Sequence, residues 1–414
     1  MERGIRKKVY LCSMKLWALV FFLLPLLGCA YVGWHVWRIL PLATVWKWVV
    51  VLLMAACFAL FILNFVIGLD RVPLTLARVM YNVGNSTLFI LLYLFMLFLA
   101  LDVVALVLHF ARPSLGDEMR MGFLRDSLPG TLCVLGFMVV LFTYANLHYL
   151  HKVRVPMEID TKGKVTRPLK LVLMSDLHLG YHNSRAEFAK WVDKVNAEQP
   201  DLVLIAGDII DISVRPLLEE NVADEFKRIK APIYACLGNH EYYSGEPRAQ
   251  KFYRDAGIHL LRDSVVTLPD YGNLTIIGRD DRTNGRRAPL SSPEGDTIAM
   301  PSATKTIETP SGAVGGAAPL LRGQALDGSF SILLDHQPYH LERTAAAGID
   351  FQFSGHTHYG QVWPISWIED AIYECAYGSL TKGNTRFYVT SGIGIWGGKF
   401  RIGTQSEYVV LTLK

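Results

Sequence analysis

Five short segments in the C-terminal part of this 414-residue chain carry side chains that could do chemistry together. They are Asp176-Leu177-His178, Gly207-Asp208-Ile209-Ile210-Asp211, Gly238-Asn239-His240-Glu241, the lone His336, and Gly355-His356-Thr357-His358. Carboxylates, imidazoles and one amide oxygen suit Mn, Fe or Zn, and the absence of a thiolate argues against a structural zinc knot. The donors are numerous enough for a pair of divalent or trivalent ions, the arrangement of a two-metal hydrolytic centre.

Each segment follows an apolar run that reads as a buried strand: 169–175, 202–206, 233–237, 332–334 and 351–354. Ligands just past the carboxyl ends of strands converge on one edge of an open sheet. Helical periodicity lies between them at 185–198 and 217–230, and a further helix at 247–256 begins with a first-turn proline. Later strands are expected at 274–278, 386–390 and 407–413. The pattern alone predicts an α/β domain.

The ordered set D-x-H, G-D-x-x-D, G-N-H-E, H and G-H-x-H resembles the calcineurin-like metallophosphoesterases, from about residue 169 to 414. Within them it is similar to the membrane-associated branch that includes transmembrane proteins carrying such a domain. Any one piece recurs by chance, but five in order after strands do not. The resemblance implies a four-layer α/β/β/α sandwich. It also implies a first ion on Asp176, His178, Asp208 and His358, and a second on Asp208, Asn239, His336 and His356. Asp208 then bridges, as a carboxylate with two oxygens can. Ions about 3.5–4 Å apart share a water, and the resulting hydroxide attacks phosphorus in line. His240 is implied to stand by the leaving group as an acid or charge stabiliser, with Asp211 to orient it. Asp211 has a second reading as the cap of the next helix. Tyr359 stands where the family often has Gly, which would narrow the mouth of the site. His182, His259 and His340 are left as surface or supporting histidines.

The N-terminal 150 residues differ in kind. The chain is 51% apolar, and the long apolar runs concentrate in this region as four expected membrane spans at 16–37, 44–67, 87–109 and 128–150, each able to cross a core of about 30 Å. Trp34, Trp37, Trp46, Trp48, Tyr144 and Tyr149 lie towards their ends, as interface aromatics do. Leu26-Leu27-Gly28-Cys29 has the look of a lipoprotein cleavage box, but the apolar run continues past it and reads as an ordinary helix. Arg3, Arg6, Lys7, Lys8 and Lys15 precede the spans, and Lys152, Arg154, Lys162, Lys164, Arg167 and Lys170 follow them. Basic flanks and an even span count predict an integral protein of the inner or plasma membrane, with both termini and the enzyme domain cytoplasmic. Residues 151–168 read as a basic linker before the 169–414 domain. Asp102 is an intramembrane ionisable residue expected to reach the interface, and Lys47 is expected to snorkel.

A net charge of +4 with no nucleic-acid motif excludes a nucleic-acid partner from the expectations. Six cysteines without paired spacing predict no disulfide framework. Residues 283–327, rich in Pro, Ser, Thr, Gly and Ala, read as a flexible surface insertion. Trp363, Trp367 and Ile368, with Ile393, Ile395, Trp396 and Phe400, form either a hydrophobic rim or a layer beneath the site. A tethered site meets lipids at high local concentration. A phosphorylated, lipid-linked substrate is therefore expected, with UDP-2,3-diacylglucosamine of lipid A biosynthesis as a concrete case by analogy with relatives. A soluble-nucleotide phosphodiesterase and an inactive membrane sensor or scaffold are the alternatives.

Overall fold

Long apolar runs become helices and short ones become strands. The computed structural model describes residues 24–66, 68–290, 320, 326 and 328–414. The chain divides into one unit up to Tyr144 and another from Ala145 to Lys414.

The first unit contains α1 (residues 24–39), α2 (Thr44–Val66), α3 (Leu74–Ala111), α4 (Pro113–Glu118) and the part of α5 (Leu128–Leu150) that precedes Ala145. Among the described residues, three helices are long and apolar enough to cross a membrane: Thr44–Asn64 within α2, then α3 and α5. The expected span at 16–37 begins outside the described residues, and its described part is helical. The span expected at 87–109 starts much earlier. Asn82, Asn85 and Thr87 bond back to the carbonyls of Arg78, Tyr81 and Val83, so polar residues that read as a loop are satisfied within α3. At 38 residues α3 is about 57 Å long. Gly84 lets it approach α2, because a Cβ there would lie 2.7 Å from the Phe61 nitrogen. Lys47 does not snorkel; it pairs with Asp126. Asp102 turns inward, accepting from Tyr31 at 2.7 Å and lying 3.0 Å from His35 Nε2.

The second unit begins with the closing turns of α5 and holds two six-stranded sheets. Its strands are β1 (Lys152–Ile159), β2 (Leu169–Met174), β3 (Leu202–Ala206), β4 (Ile233–Cys236), β5 (Ile258–Leu260), β6 (Ser264–Leu268), β7 (Leu274–Gly278), β8 (Phe330–Leu334), β9 (Phe351–Ser354), β10 (Gly378–Lys382), β11 (Thr385–Val389) and β12 (Ser406–Leu413). Its other helices are α6 (Arg185–Ala197), α7 (Arg215–Glu219), α8 (Ala223–Phe226), α9 (Asn239–Tyr243), α10 (Glu246–Asp255), α11 (Leu341–Ala346) and α12 (Ile365–Ile372). The sheets run β1-β12-β2-β3-β4-β5 and β10-β11-β9-β8-β7-β6. Strands β2 to β5 are parallel, as are β7, β8, β9 and β11.

Alternation along the strands builds the layers. Leu171, Leu173 and Leu204 meet Ile276, Ile332, Leu334 and Phe353 between the sheets. Val172, Met174, Val203 and Ile205 point the other way, onto Phe188, Trp191, Phe226 and Phe252 of the helices. Each such fully buried aliphatic side chain contributes about 1.5–3 kcal/mol. On the far face, Leu341 of α11 packs with Phe387 and Val389. The result is an α/β fold of two facing sheets flanked by helices.

Three expectations need correction. Residues 152–159 are not linker but strand β1, paired in parallel with β12 from Lys152↔Ser406 to Ile159↔Leu413. The outward Arg154, Pro156 and Glu158 disguise the half-buried Val153, Val155 and Met157, and an edge strand tolerates the proline. The helix expected at 217–230 is two short helices, α7 and α8, interrupted at Asn221, whose φ of 53° is left-handed. Most of 283–327 lies outside the described residues, but its ends are packed. Leu290 and Leu320 form a bridge and are buried with Ile277 and Leu333.

Candidate metal centre

Parallel strands deliver the donors to one edge. Asp176 and His178 follow β2, Asp208 and Asp211 follow β3, Asn239 and His240 open α9 after β4, His336 follows β8, and His356 and His358 follow β9. All nine residues singled out in the sequence converge there. Five leave their strands in left-handed backbone: Asp176 (φ 56°), His178 (44°), Asp208 (52°), His356 (75°) and His358 (48°). Non-glycine residues adopt this region at a cost that surrounding structure must hold, which is characteristic of functional sites. Glycines give the turns room: a Cβ on Gly355 would sit 2.2 Å from Asp176 Oδ2.

The donors form two groups. In the first, His178 Nε2 lies 3.0 Å from His358 Nε2, and Asp176 Oδ1 lies 3.8 and 3.5 Å from those nitrogens. In the second, His336 Nε2 lies 3.1 Å from both Asp208 Oδ2 and Asn239 Oδ1, which is 2.9 Å from His356 Nδ1. Asp208 Oδ2 also lies 3.7 Å from His178 Nε2, so it faces both groups.

Metal ions fit this arrangement. Donors about 2.1 Å from a shared ion stand about 3.0–3.4 Å apart. The ring of His336 donates from Nδ1 to the Ala206 carbonyl at 2.8 Å, so in its neutral form the Nε2 lone pair faces a carboxylate and an amide oxygen. Burial would lower His336, but the Asp208 carboxylate carries it well above the ordinary imidazole value, so these donors draw positive charge to the place between them.

Beneath the donors, Asp211 is buried among three imidazoles. Its Oδ1 lies 3.3 Å from His178 Nδ1 and 3.4 Å from His240 Nδ1, and its Oδ2 lies 3.7 Å from His182 Nδ1. It is not a helix cap, since α7 starts at Arg215 with Val214 in the capping position. Burial would raise the Asp211 carboxyl, but hydrogen bonding with His178 and His240 holds it well below the usual range. Burial would lower His178, but hydrogen bonding with Asp176 and Asp211 carries it up to about 10. Burial and the charge of His336 push His356 down to about 4, keeping a neutral ring. Of the remaining histidines, His182 is buried and bonds the Ile395 carbonyl at 2.6 Å, while His259 and His340 are exposed.

Glu241 had no role in the sequence reading. It accepts from the backbone nitrogens of Gly238 at 2.7 Å and of Asp208 and Ile210 at 3.0 Å, bracing two of the turns that carry the donors. Its place three residues after the cap of α9 is the signal that could have found it. The apolar residues near the site divide: Ile393 and Ile395 are fully buried, whereas Trp363, Trp367, Ile368 and Ile372 are 39%, 64%, 58% and 56% exposed.

The family model for calcineurin-like phosphoesterases matches residues 169–360. A metallophosphoesterase of Campylobacter jejuni is 29% identical over 325 residues, covering 78% of this chain and 78% of its own. The transmembrane protein with metallophosphoesterase domain of Danio rerio is 28% identical over 271 residues, 63% of this chain and 57% of that one. A solved dimetal phosphatase from Danio rerio aligns at a TM-score of 0.33 and 14% identity, covering 53% of this chain and 86% of its own. With this donor geometry at the strand ends, residues 169–360 match the calcineurin-like phosphoesterases and make that part of the chain a metal-dependent phosphoesterase domain.

Proposed function

We propose that the protein is a membrane-bound two-metal enzyme hydrolysing a phosphodiester or pyrophosphate bond of a lipid-linked substrate, with UDP-2,3-diacylglucosamine as the concrete case. The observation that carries the lipid reading is α12. Its exposed Trp367, Ile368 and Ile372, with Trp363 just before it, form an apolar face a few residues beyond His356 and His358. Single exposed apolar residues are ordinary, but a cluster with two tryptophans suits a bilayer interface or acyl chains. Tyr373, just past α12, sets its ring 6.3 Å from that of His356, so the C-terminal end of this helix adjoins the candidate donors.

In this reading Asp176, His178, Asp208 and His358 hold one ion and Asp208, Asn239, His336 and His356 the other, with Mn, Fe or Zn suited to both. The ions supply positive charge for the phosphate oxygens and a nucleophile at neutral pH. His240 donates from Nδ1 to the Asp211 carbonyl at 3.1 Å, which leaves Nε2 to meet the leaving-group oxygen. The exposed Arg154, Lys162 and Arg167, with the basic N terminus, support a cytoplasmic domain beside anionic headgroups.

The test is release of phosphate or nucleotide by detergent-purified protein with Mn, from an aryl phosphodiester and from UDP-2,3-diacylglucosamine, alongside Asn239→Ala and His240→Ala. Cleavage of the lipid substrate, lost in both variants, is expected. Cleavage of the aryl ester alone would remove the lipid assignment, and failure to bind metal would remove the catalytic one.

A further inference from the structure

Arg401 is a fully buried guanidinium in the second unit. A charge taken out of water is costly unless its hydrogen bonds are made. Its bonds all go to main-chain carbonyls and hydroxyls. Nη1 donates to the His358 carbonyl at 2.6 Å and to Thr404 Oγ1 at 3.4 Å. Nη2 donates to the carbonyl of Ser391 and, at 3.2 Å, to that of Gly394, while Nε reaches Ser406 Oγ at 3.2 Å.

The carbonyl acceptors belong to two loops that bracket the first group of donors. One is the turn after β9, where His358, Tyr359 and Gln361 hold φ of 48°, 49° and 62°. Three left-handed non-glycine residues so close together need an external brace. Thr404 adds to it, donating from Oγ1 to the Gln361 carbonyl at 2.7 Å. The other loop lies along Asp176: the nitrogens of Ile393 and Gly394 donate to the Ser175 and Asp176 carbonyls at 3.2 and 3.0 Å. A Cβ on Gly392 would be 2.7 Å from Asp176 Cβ. One planar fork therefore grips the backbone that carries His358 and the backbone that clasps Asp176.

We propose that Arg401 is a positioning residue for the first ion, setting the separation of these two loops so that His358 and Asp176 can share one metal. The proposal rests on the assignment of Asp176, His178 and His358 to that ion. Lysine cannot replace the fork, since a single ammonium does not span both loops in this planar geometry. Charge and geometry predict opposite signs. A guanidinium near a cation site opposes the cation, so neutralising it would tighten metal binding if charge alone mattered. Loss of positioning weakens binding instead.

The experiment is Mn titration of the full-length protein in detergent, read by electron paramagnetic resonance for stoichiometry and for the coupled signal of a metal pair. Circular dichroism monitors the fold. Arg401→Met is expected to keep one ion, to bind the other about 10–100-fold more weakly, and to lose the coupled signal. Arg401→Lys, which keeps the charge without the fork, is expected to weaken the same ion in the same direction. Should the arginine variants not fold, Thr404→Val removes a weaker part of the same brace and shifts the affinity in the same direction. A folded Arg401→Met or Thr404→Val protein holding both ions with wild-type affinity overturns the proposal. His358→Ala separates the two layers of inference: if it still bound both ions, the ligand assignment itself would fall.

Discussion

His240 and Asp211 meet through the main chain: the ring Nδ1 donates to the Asp211 carbonyl at 3.1 Å, while the carboxylate Oδ1, 3.4 Å away, also faces His178. The carbonyl can only accept, so the His240 tautomer is set without the carboxylate. Asp211→Asn should therefore keep His240 oriented and cost less than His240→Ala, which removes the proposed leaving-group acid itself. We expect a fall in kcat of about 10²–10⁴-fold for His240→Ala, within the usual range for a lost acid or base. Metal content measured beside kcat should stay at the wild-type value in His240→Ala.

Asp208 and His356 should differ in how much metal their loss costs. Asp208 Oδ2 faces donors of both groups, whereas His356 faces only the second through Asn239. Asp208→Ala is expected to lose both ions and His356→Ala one, as read by elemental analysis per chain. Equal losses would remove the bridging role from Asp208.

Much of the site was legible because its residues lie immediately beyond apolar runs that can only be buried strands, so Asp176, Asp208, Asn239 and His356 announce both their chemistry and their place. Arg401 was not legible in the same way, since it acts on backbone atoms of distant turns that no local pattern names, and for Glu241 only the cap of α9 is local while its bonds to Asp208 and Ile210 are not. Strand β1 was hidden by its edge position, where outward Arg154 and Glu158 look like a linker. The start of α3 was hidden by asparagines that satisfy themselves within the helix. The apolar residues beyond the site could not be sorted by composition. Ile393 and Ile395 belong to a loop held against Ser175 and Asp176, while Trp367 and Ile368 sit on a helix face that nothing in the described unit covers.

That helix face gives a prediction that separates substrate access from stability. Trp367 and Ile368 are exposed, so Trp367→Ser with Ile368→Ser should change the melting temperature little. Cleavage of a lipid-linked phosphoester presented in vesicles should fall several-fold, with KM affected more than kcat, while a soluble aryl phosphodiester is cleaved as before. Equal loss on both substrates would point to damage at the metal centre and not to a membrane-facing rim.

Acid should test the contact between α6 and the loop that carries Arg401. Glu187 receives hydrogen bonds from Lys399 and from Tyr149, a residue of the closing turns of α5. Burial would raise its carboxyl, but the charge of Lys399 and these hydrogen bonds outweigh it, so the folded value lies below the ordinary 4.5. Below that ordinary value the unfolded chain takes up a proton that the folded chain refuses. Stability from this pair is therefore complete above about pH 4.5 and is lost as pH falls through the folded value. Glu187→Gln removes the titrating group, so its melting temperature should be lower at neutral pH and should converge on the wild-type value in acid. Differential scanning measurements from neutral pH to about pH 3 follow both curves. A gap that stayed constant with pH would mean that Glu187 contributes through packing and not through its charge.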